Sequence, residues 1–294
     1  MADEREINAL LHLLDDPDQE VFDTVADRLV HLGKEIIPSL ESIWENTLNE
    51  AIQERIEWLI HRVHLQDLLT KMKEWAAQPD DLLKGALLVD KYQYPELGEE
   101  QVFKSIEKLK RNIWLELNNY LTPVEQINVM NGMLYSYFGI KGIEITDKQY
   151  RQKNYFFLHQ LIESRKGSPI IIGILYQYLC EKLDIPVRAV QIPQQYVLAY
   201  FEMEDAPWLY ARNASLQSRI QFFIDPGQGQ IYSHKDIETY LKRIDAVETE
   251  RYYQPLSNKQ IIQKLIRELT KCYPQNEYPN RRYELYHLAA LLDD

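Results

Sequence analysis

Covalent or proton-transfer chemistry needs a nucleophile, a base to activate it and a group to orient that base. The thiols of this chain are Cys180 and Cys272. Cys180 lies late in the most apolar stretch of the sequence, where a helix dipole disfavours a thiolate and apolar neighbours raise the pKa further. It reads as a buried structural residue, and Cys272, at the end of a tail helix, as incidental. Ser168 stands just ahead of the same apolar stretch. Its hydroxyl is a candidate nucleophile, but Ser before Pro at a helix start reads first as an N-cap. Among the histidines, His159 and His234 are candidate bases; His159 also reads as a structural residue of its helix, and His234, next to Ser233, as a loop or N-terminal helix residue. His61 and His64 share a helix face at i, i+3 without a third ligand, too little for a metal site. Asp225 precedes Pro226 and the Gly227-Gln228-Gly229 turn, where its carboxylate either orients a base or caps the turn. No phosphate-cradling glycine pattern occurs among the 10 glycines.

The elements that must position these groups follow from hydrophobic periodicity. Ile7, Leu10, Leu11 and Leu14 recur at helical spacing. Asp15-Asp16-Pro17-Asp18 breaks that helix and supplies a cap for the next, which carries Val21, Val25, Leu29 and Leu32 and stops at Gly33. A further helix pair holds Ile37 to Trp44 and Ile52 to Val63. A boundary is expected at Gln78-Pro79-Asp80-Asp81. Helices are then predicted over 82–89, 99–117, 124–138 and 156–164. Residues 169–183 are apolar around most of the helix circumference, which predicts a buried helix. After Asp184-Ile185-Pro186 the period changes, and strands are expected at 187–192, 196–203, 208–212 and 220–224, paired antiparallel because the links are short. Helices return at 258–272 and 281–291.

Composition narrows the function. A net charge of −12 repels phosphate backbones and anionic lipid heads, so no broad nucleic-acid face is expected. Two cysteines fit a reducing compartment, and the expected location is the cytoplasm. Met1 to Leu14 lacks a basic start followed by a long apolar run, so no secretory signal is expected. The longest apolar stretch, 169–175, is too short to span a bilayer, so no membrane association is expected. Nothing in the residue pattern calls for a metal or cofactor.

Two resemblances extend this reading. The run Leu13-Leu14-Asp15-Asp16-Pro17-Asp18-Gln19-Glu20-Val21, with the Gly33 to Leu40 turn, resembles a HEAT-type helical repeat over residues 5 to 75. The run Arg165-Lys166-Gly167-Ser168-Pro169, the apolar helix, Asp184-Ile185-Pro186-Val187-Arg188, Ile192-Pro193-Gln194-Gln195-Tyr196 and Asp225-Pro226-Gly227-Gln228-Gly229 resemble, in order and spacing, the transglutaminase-like (papain-like) superfamily in its bacterial SirB-type branch. Tyr94-Pro95-Glu96-Leu97 and the helical tail at 258–291 echo the same branch, over residues 80 to 292. The departures are Asp184 for Gly, Gln194-Gln195-Tyr196 for Gly-His-Phe, and Tyr155, beside Asn154, for Asn.

The resemblance implies an α+β fold: a buried helix packed on an antiparallel sheet (78–254), an N-terminal all-α HEAT-like region (1–77) and a C-terminal helical hairpin (255–294). It also implies a Cys-His-Asp triad with Cys at the start of the buried helix, where the helix end stabilises a thiolate. Pro169 occupies that position and Gln195 the His position. Proline has no nucleophile and an amide does not titrate near neutrality. Only Asp225 remains. The expectation is therefore a catalytically inactive protein, a pseudoenzyme acting as a scaffold or as a module that binds a protein or peptide partner through its old cleft, lined by Ser168, Gln194, Gln195, Tyr196, Asp225, Asn154 and Tyr155. Tyrosines and other aromatics near the cleft suit such recognition. Two alternatives stand beside it: a hydrolase or amide-transfer enzyme using Ser168, Asp225 or a histidine, and an adaptor acting through residues 5 to 75.

Overall fold

A computed structural model describes residues 4–143, 152–202 and 215–293. The chain divides into two compact units, Met1–Glu74 with Lys91–Pro95, and Trp75–Asp90 with Glu96–Asp294.

The first unit is helical: α1 (Glu4–His12), α2 (Gln19–His31), α3 (Ile37–Asn46) and most of α4 (Glu50–Ala77). Asp18 caps α2 by accepting from Glu20 N–H at 2.9 Å, and Gly33 closes that helix at φ +72°. Phe22, Val25, Leu29, Leu40, Ile56 and Leu59 form its core. The Arg55 guanidinium donates to the Leu14 and Asp16 carbonyls at 2.8 Å each, which secures the turn between α1 and α2.

The second unit is the α+β part. It contains α5 (Leu82–Gln93, as far as Asp90), α6 (Glu100–Glu116), α7 (Pro123–Asn131), α8 (Leu158–Ser164), α9 (Pro169–Glu181), α10 (His234–Arg243), α11 (Asn258–Thr270) and α12 (Pro279–Ala290). Every residue of α9 from Ile170 to Cys180 is buried, as the sequence predicts. Beside it lies an antiparallel sheet of β3 (Val187–Val190), β4 (Val197–Phe201), β5 (Ile220–Ile224) and β6 (Ile231–Tyr232), in that spatial order. Gln177, a fully buried amide within α9, accepts from the Ala189 N–H of β3 at 2.7 Å, so its burial carries no unpaired acceptor. The opposite face, with Val190, Val197, Ala199, Phe201 and Phe223, packs on Ile237 and Leu241 of α10.

The expected strands at 187–192 and 196–203 shorten to β3 and β4, and that at 220–224 is β5. The expected strand at 208–212 lies outside the described residues. Three features are additions to the sequence reading. A two-residue parallel pair joins β1 (Lys141–Gly142) to β2 (Lys166–Gly167). The end of the expected helix at 124–138 is a wider π-type turn, Gly132–Tyr137. The helix α10 itself is the third, opened by His234 behind the Ser233–Asp236 capping box, the helix-start position that the sequence allows for this histidine.

Candidate functional site

The site gathers at the N-terminal end of α9. Ser168 is the N-cap residue, with extended φ/ψ of −68° and 156°, and Pro169 fills the first helical position. The Ser168 N–H donates to the Tyr155 carbonyl at 2.8 Å, which ties the helix start to the turn Lys153–Phe156. The expected side-chain cap is absent: Ser168 makes no capping hydrogen bond. Its Oγ is buried with no partner at all. Thr122, Ser233 and Ser257 all do cap their helices, α7, α10 and α11. With Pro169 lacking an N–H and the Ile172 N–H taken by the Ser168 carbonyl at 3.2 Å, the N–H groups of Ile170 and Ile171 are left without an intrahelical acceptor.

The loop between β3 and β4 brings the other side. Gln194 adopts a left-handed φ of 59°, and the Tyr240 hydroxyl of α10 donates to the Pro193 carbonyl at 2.9 Å. This places the Tyr196 ring against the Cα of Gly173, so close that a methyl group there would overlap it. Tyr196 is 8% exposed and its hydroxyl, like that of Ser168, is buried without a partner. Burial pushes its ionisation far above the ordinary phenol range.

Asp225 closes the third side. Its Oδ1 accepts from the Gly227 N–H at 2.8 Å, and its carbonyl accepts from the Gly229 N–H at 2.7 Å. The carboxylate therefore caps its own turn. That turn is fixed by α7 and the π-type turn after it: Asn131 Nδ2 donates to the Gly229 carbonyl and the Tyr135 hydroxyl to the Pro226 carbonyl, both at 2.7 Å. Gly142 N–H donates to the Gly227 carbonyl at 3.1 Å.

Two cavities meet here and share the wall made by Gln195 and Tyr196. The larger, about 640 Å³, also takes Ser168, Pro169, Ile170, Gln194 and Phe156, with Lys264, Glu268 and Lys271 from α11 and its C-cap. The smaller, about 400 Å³, takes Asp225 from the turn and Tyr232, Asp236, Tyr240 and Arg243 from β6 and α10. Of the predicted cleft residues, Ser168, Gln194, Gln195, Tyr196 and Asp225 line one cavity or both. Asn154 and Tyr155 line neither, and Tyr155 contributes its carbonyl to Ser168.

Sequence reasoning missed Lys264, Glu268 and Lys271. Their signal is an i, i+4, i+7 row of charged residues along an amphipathic helix. Lys264 Nζ sits 5.8 Å from the centroid of the Tyr196 ring, and burial lowers its pKa from the ordinary lysine value. Lys271 pairs with Glu268 at 2.7 Å.

The remaining candidates are elsewhere. Cys180 is fully buried, and burial raises its thiol far out of the reactive range. Burial, with the Glu268 carboxylate adding to it, pushes Cys272 up to about 12. His159 is held inside the protein by Asp90, whose Oδ2 accepts from Nδ1 at 2.8 Å. His234 bonds the Ile220 carbonyl at 2.7 Å and packs edge-on to Phe223. Among the described residues no group of three metal-ligating side chains occurs, and no helix is long and apolar enough to cross a membrane.

A family model for the transglutaminase-like superfamily matches residues 100–267, from α6 into α11 and so across both cavities. The chain belongs to the transglutaminase-like superfamily. Within this superfamily it is similar to the UPF0162 protein YchA of Escherichia coli, at 23% identity over 188 residues, 63% of this chain and 64% of that protein. The protein SirB1 of Salmonella typhimurium is equally similar, 23% over 190 residues, with the same shares. The human F-box only protein 21 is 22% identical over 237 residues, 72% of this chain and 36% of the F-box protein. The chain thus spans less than two thirds of the length of its bacterial relatives. No solved structure matches it.

Proposed function

We propose that this transglutaminase-like chain is a binding module that holds a protein or peptide segment in the cleft at the start of α9, and that it performs no triad chemistry there. The observation that supports this most directly is Pro169 at the first position of the buried helix, in a cleft whose opposite wall is Gln195. Among the described residues, neither cavity is lined by a cysteine or a histidine. The Asp225 carboxylate is engaged by its own turn. The Ser168 hydroxyl has no hydrogen-bond partner, so no base is bonded to it. What the cleft does offer suits recognition: amides on Gln194 and Gln195, phenol rings on Tyr196, Tyr232 and Tyr240, and cavities deep enough for side chains.

The test has two arms on the full chain. Peptides selected from a random library should bind saturably, and Gln195→Ala and Tyr196→Ala should each weaken them by at least about tenfold. In parallel, amide and ester substrates should turn over no faster than in buffer. Turnover that disappears in Ser168→Ala or Asp225→Asn would overturn the proposal in favour of an enzyme with altered residues.

A further inference from the structure

The larger cavity has a polarity of its own. Its charged lining is two ammonium groups, Lys264 and Lys271, against one carboxylate, Glu268, on a chain whose net charge is −12. Lys271 and Glu268 neutralise each other at 2.7 Å. Lys264 is different. Among the described residues its ammonium has neither a salt-bridge nor a hydrogen-bond partner, and it lies over the Tyr196 ring, half out of water. An ammonium in that position loses hydration, and the Glu268 carboxylate that attracts it is already bonded to Lys271, so an anion entering the cavity would supply the counter-charge it lacks at bonding distance. The same cavity receives the N-terminus of the 13-residue helix α9, with the Ile170 and Ile171 N–H groups uncapped and the helix dipole favouring negative charge. Independently, two hydroxyls lining this cavity are buried and unpartnered. Ser168 is 1% exposed and Tyr196 8%. A buried hydroxyl without a partner costs about 1–3 kcal/mol, and both of these belong to residues of the cavity wall.

Resting on the binding reading above, we infer that the cavity beside Ser168, Tyr196 and Lys264 is an anion subsite that takes a carboxylate of the bound peptide, either its C-terminal carboxylate or an acidic side chain. Each unsatisfied group around it can donate a hydrogen bond or carries positive charge, which suits a carboxylate. The Lys264 ammonium supplies charge, and the helix end and the hydroxyls supply directed hydrogen bonds. A Ser–Lys catalytic pair is not assembled, because the Ser168 Oγ has no partner within hydrogen-bonding distance.

The experiment follows the backbone amide resonances of Ile170 and Ile171 in the full chain during titration with N-acetylglycine and with its neutral analogue N-acetylglycinamide. Both signals should shift saturably with the acid and not with the amide. Lys264→Met should weaken the acid by at least about tenfold, the loss of a charge-assisted hydrogen bond, and Lys264→Arg should restore most of the affinity. N-acetylglutamine amide and N-acetylglutamate amide then separate the two sources: a response to N-acetylglutamate amide alone of this second pair shows that a side-chain carboxylate is accepted as well. Equal binding of N-acetylglycine and N-acetylglycinamide, or of inorganic phosphate as tightly as the acid, would overturn the carboxylate assignment while leaving a peptide-binding cleft intact. A covalent adduct of Ser168 with a fluorophosphonate would instead overturn the binding reading itself.

Discussion

Tyr196 rests on Gly173 with its hydroxyl unpaired, and that combination makes a stability argument at a single atom. Removing the hydroxyl leaves the ring packing and ends the cost of an unsatisfied donor, so Tyr196→Phe should stabilise the ligand-free protein by about 1 kcal/mol in urea unfolding. Gly173→Ala should act in the opposite sense: the added methyl displaces the ring, and a loss of about 1–3 kcal/mol is expected. Lys264 adds a pH signature. Its folded-state pKa lies below the unfolded value of 10.5, so the unfolded chain binds more protons between the two. The Lys264 contribution to stability should therefore grow with pH across that window, against the opposite contribution of the buried thiols and Tyr196, so the wild type should gain on Lys264→Met as pH rises, measured as the difference between their unfolding midpoints. Cys180 should resist alkylation at every pH until the protein unfolds, with Cys272→Ala as the background; labelling at mildly acid pH would mean a stabilised thiolate.

At the scale of elements, the buried helix and the strands β3, β4 and β5 were legible because their residues carry a continuous apolar or β-branched signal. The parallel pair β1–β2 was not, since Lys141-Gly142 and Lys166-Gly167 have no strand character and pair only because tertiary structure brings them together. The cap of α8 was illegible for the same reason. Asp90, on α5, accepts from the Leu158 and His159 N–H groups at 2.9 and 2.8 Å, a helix cap supplied from 68 residues away. Asp90→Ala strips those donors and the His159 ring of this buried acceptor, and about 3–5 kcal/mol of stability should be lost. In the cleft, Ser168, Gln195 and Asp225 were readable from motif order. Lys264 was not, because nothing local says that the polar stripe of α11 faces the start of α9.

At the scale of the molecule, the tail helices belong to the site as much as to the scaffold. Ile261, Ile262, Leu265, Ile266 and Leu269 of α11 are all fully buried. Leu265→Ala should cost about 2–5 kcal/mol, and because Lys264 is its neighbour the same change should loosen the cavity wall. The circumference of α9 carries a consequence for biosynthesis. That helix is complete once Glu181 has left the ribosome, whereas α11 is complete only at Thr270. Through the intervening translation the nascent chain carries a thirteen-residue apolar segment whose covering strands and helix have yet to be made, and holding it from other nascent chains becomes a task for chaperones.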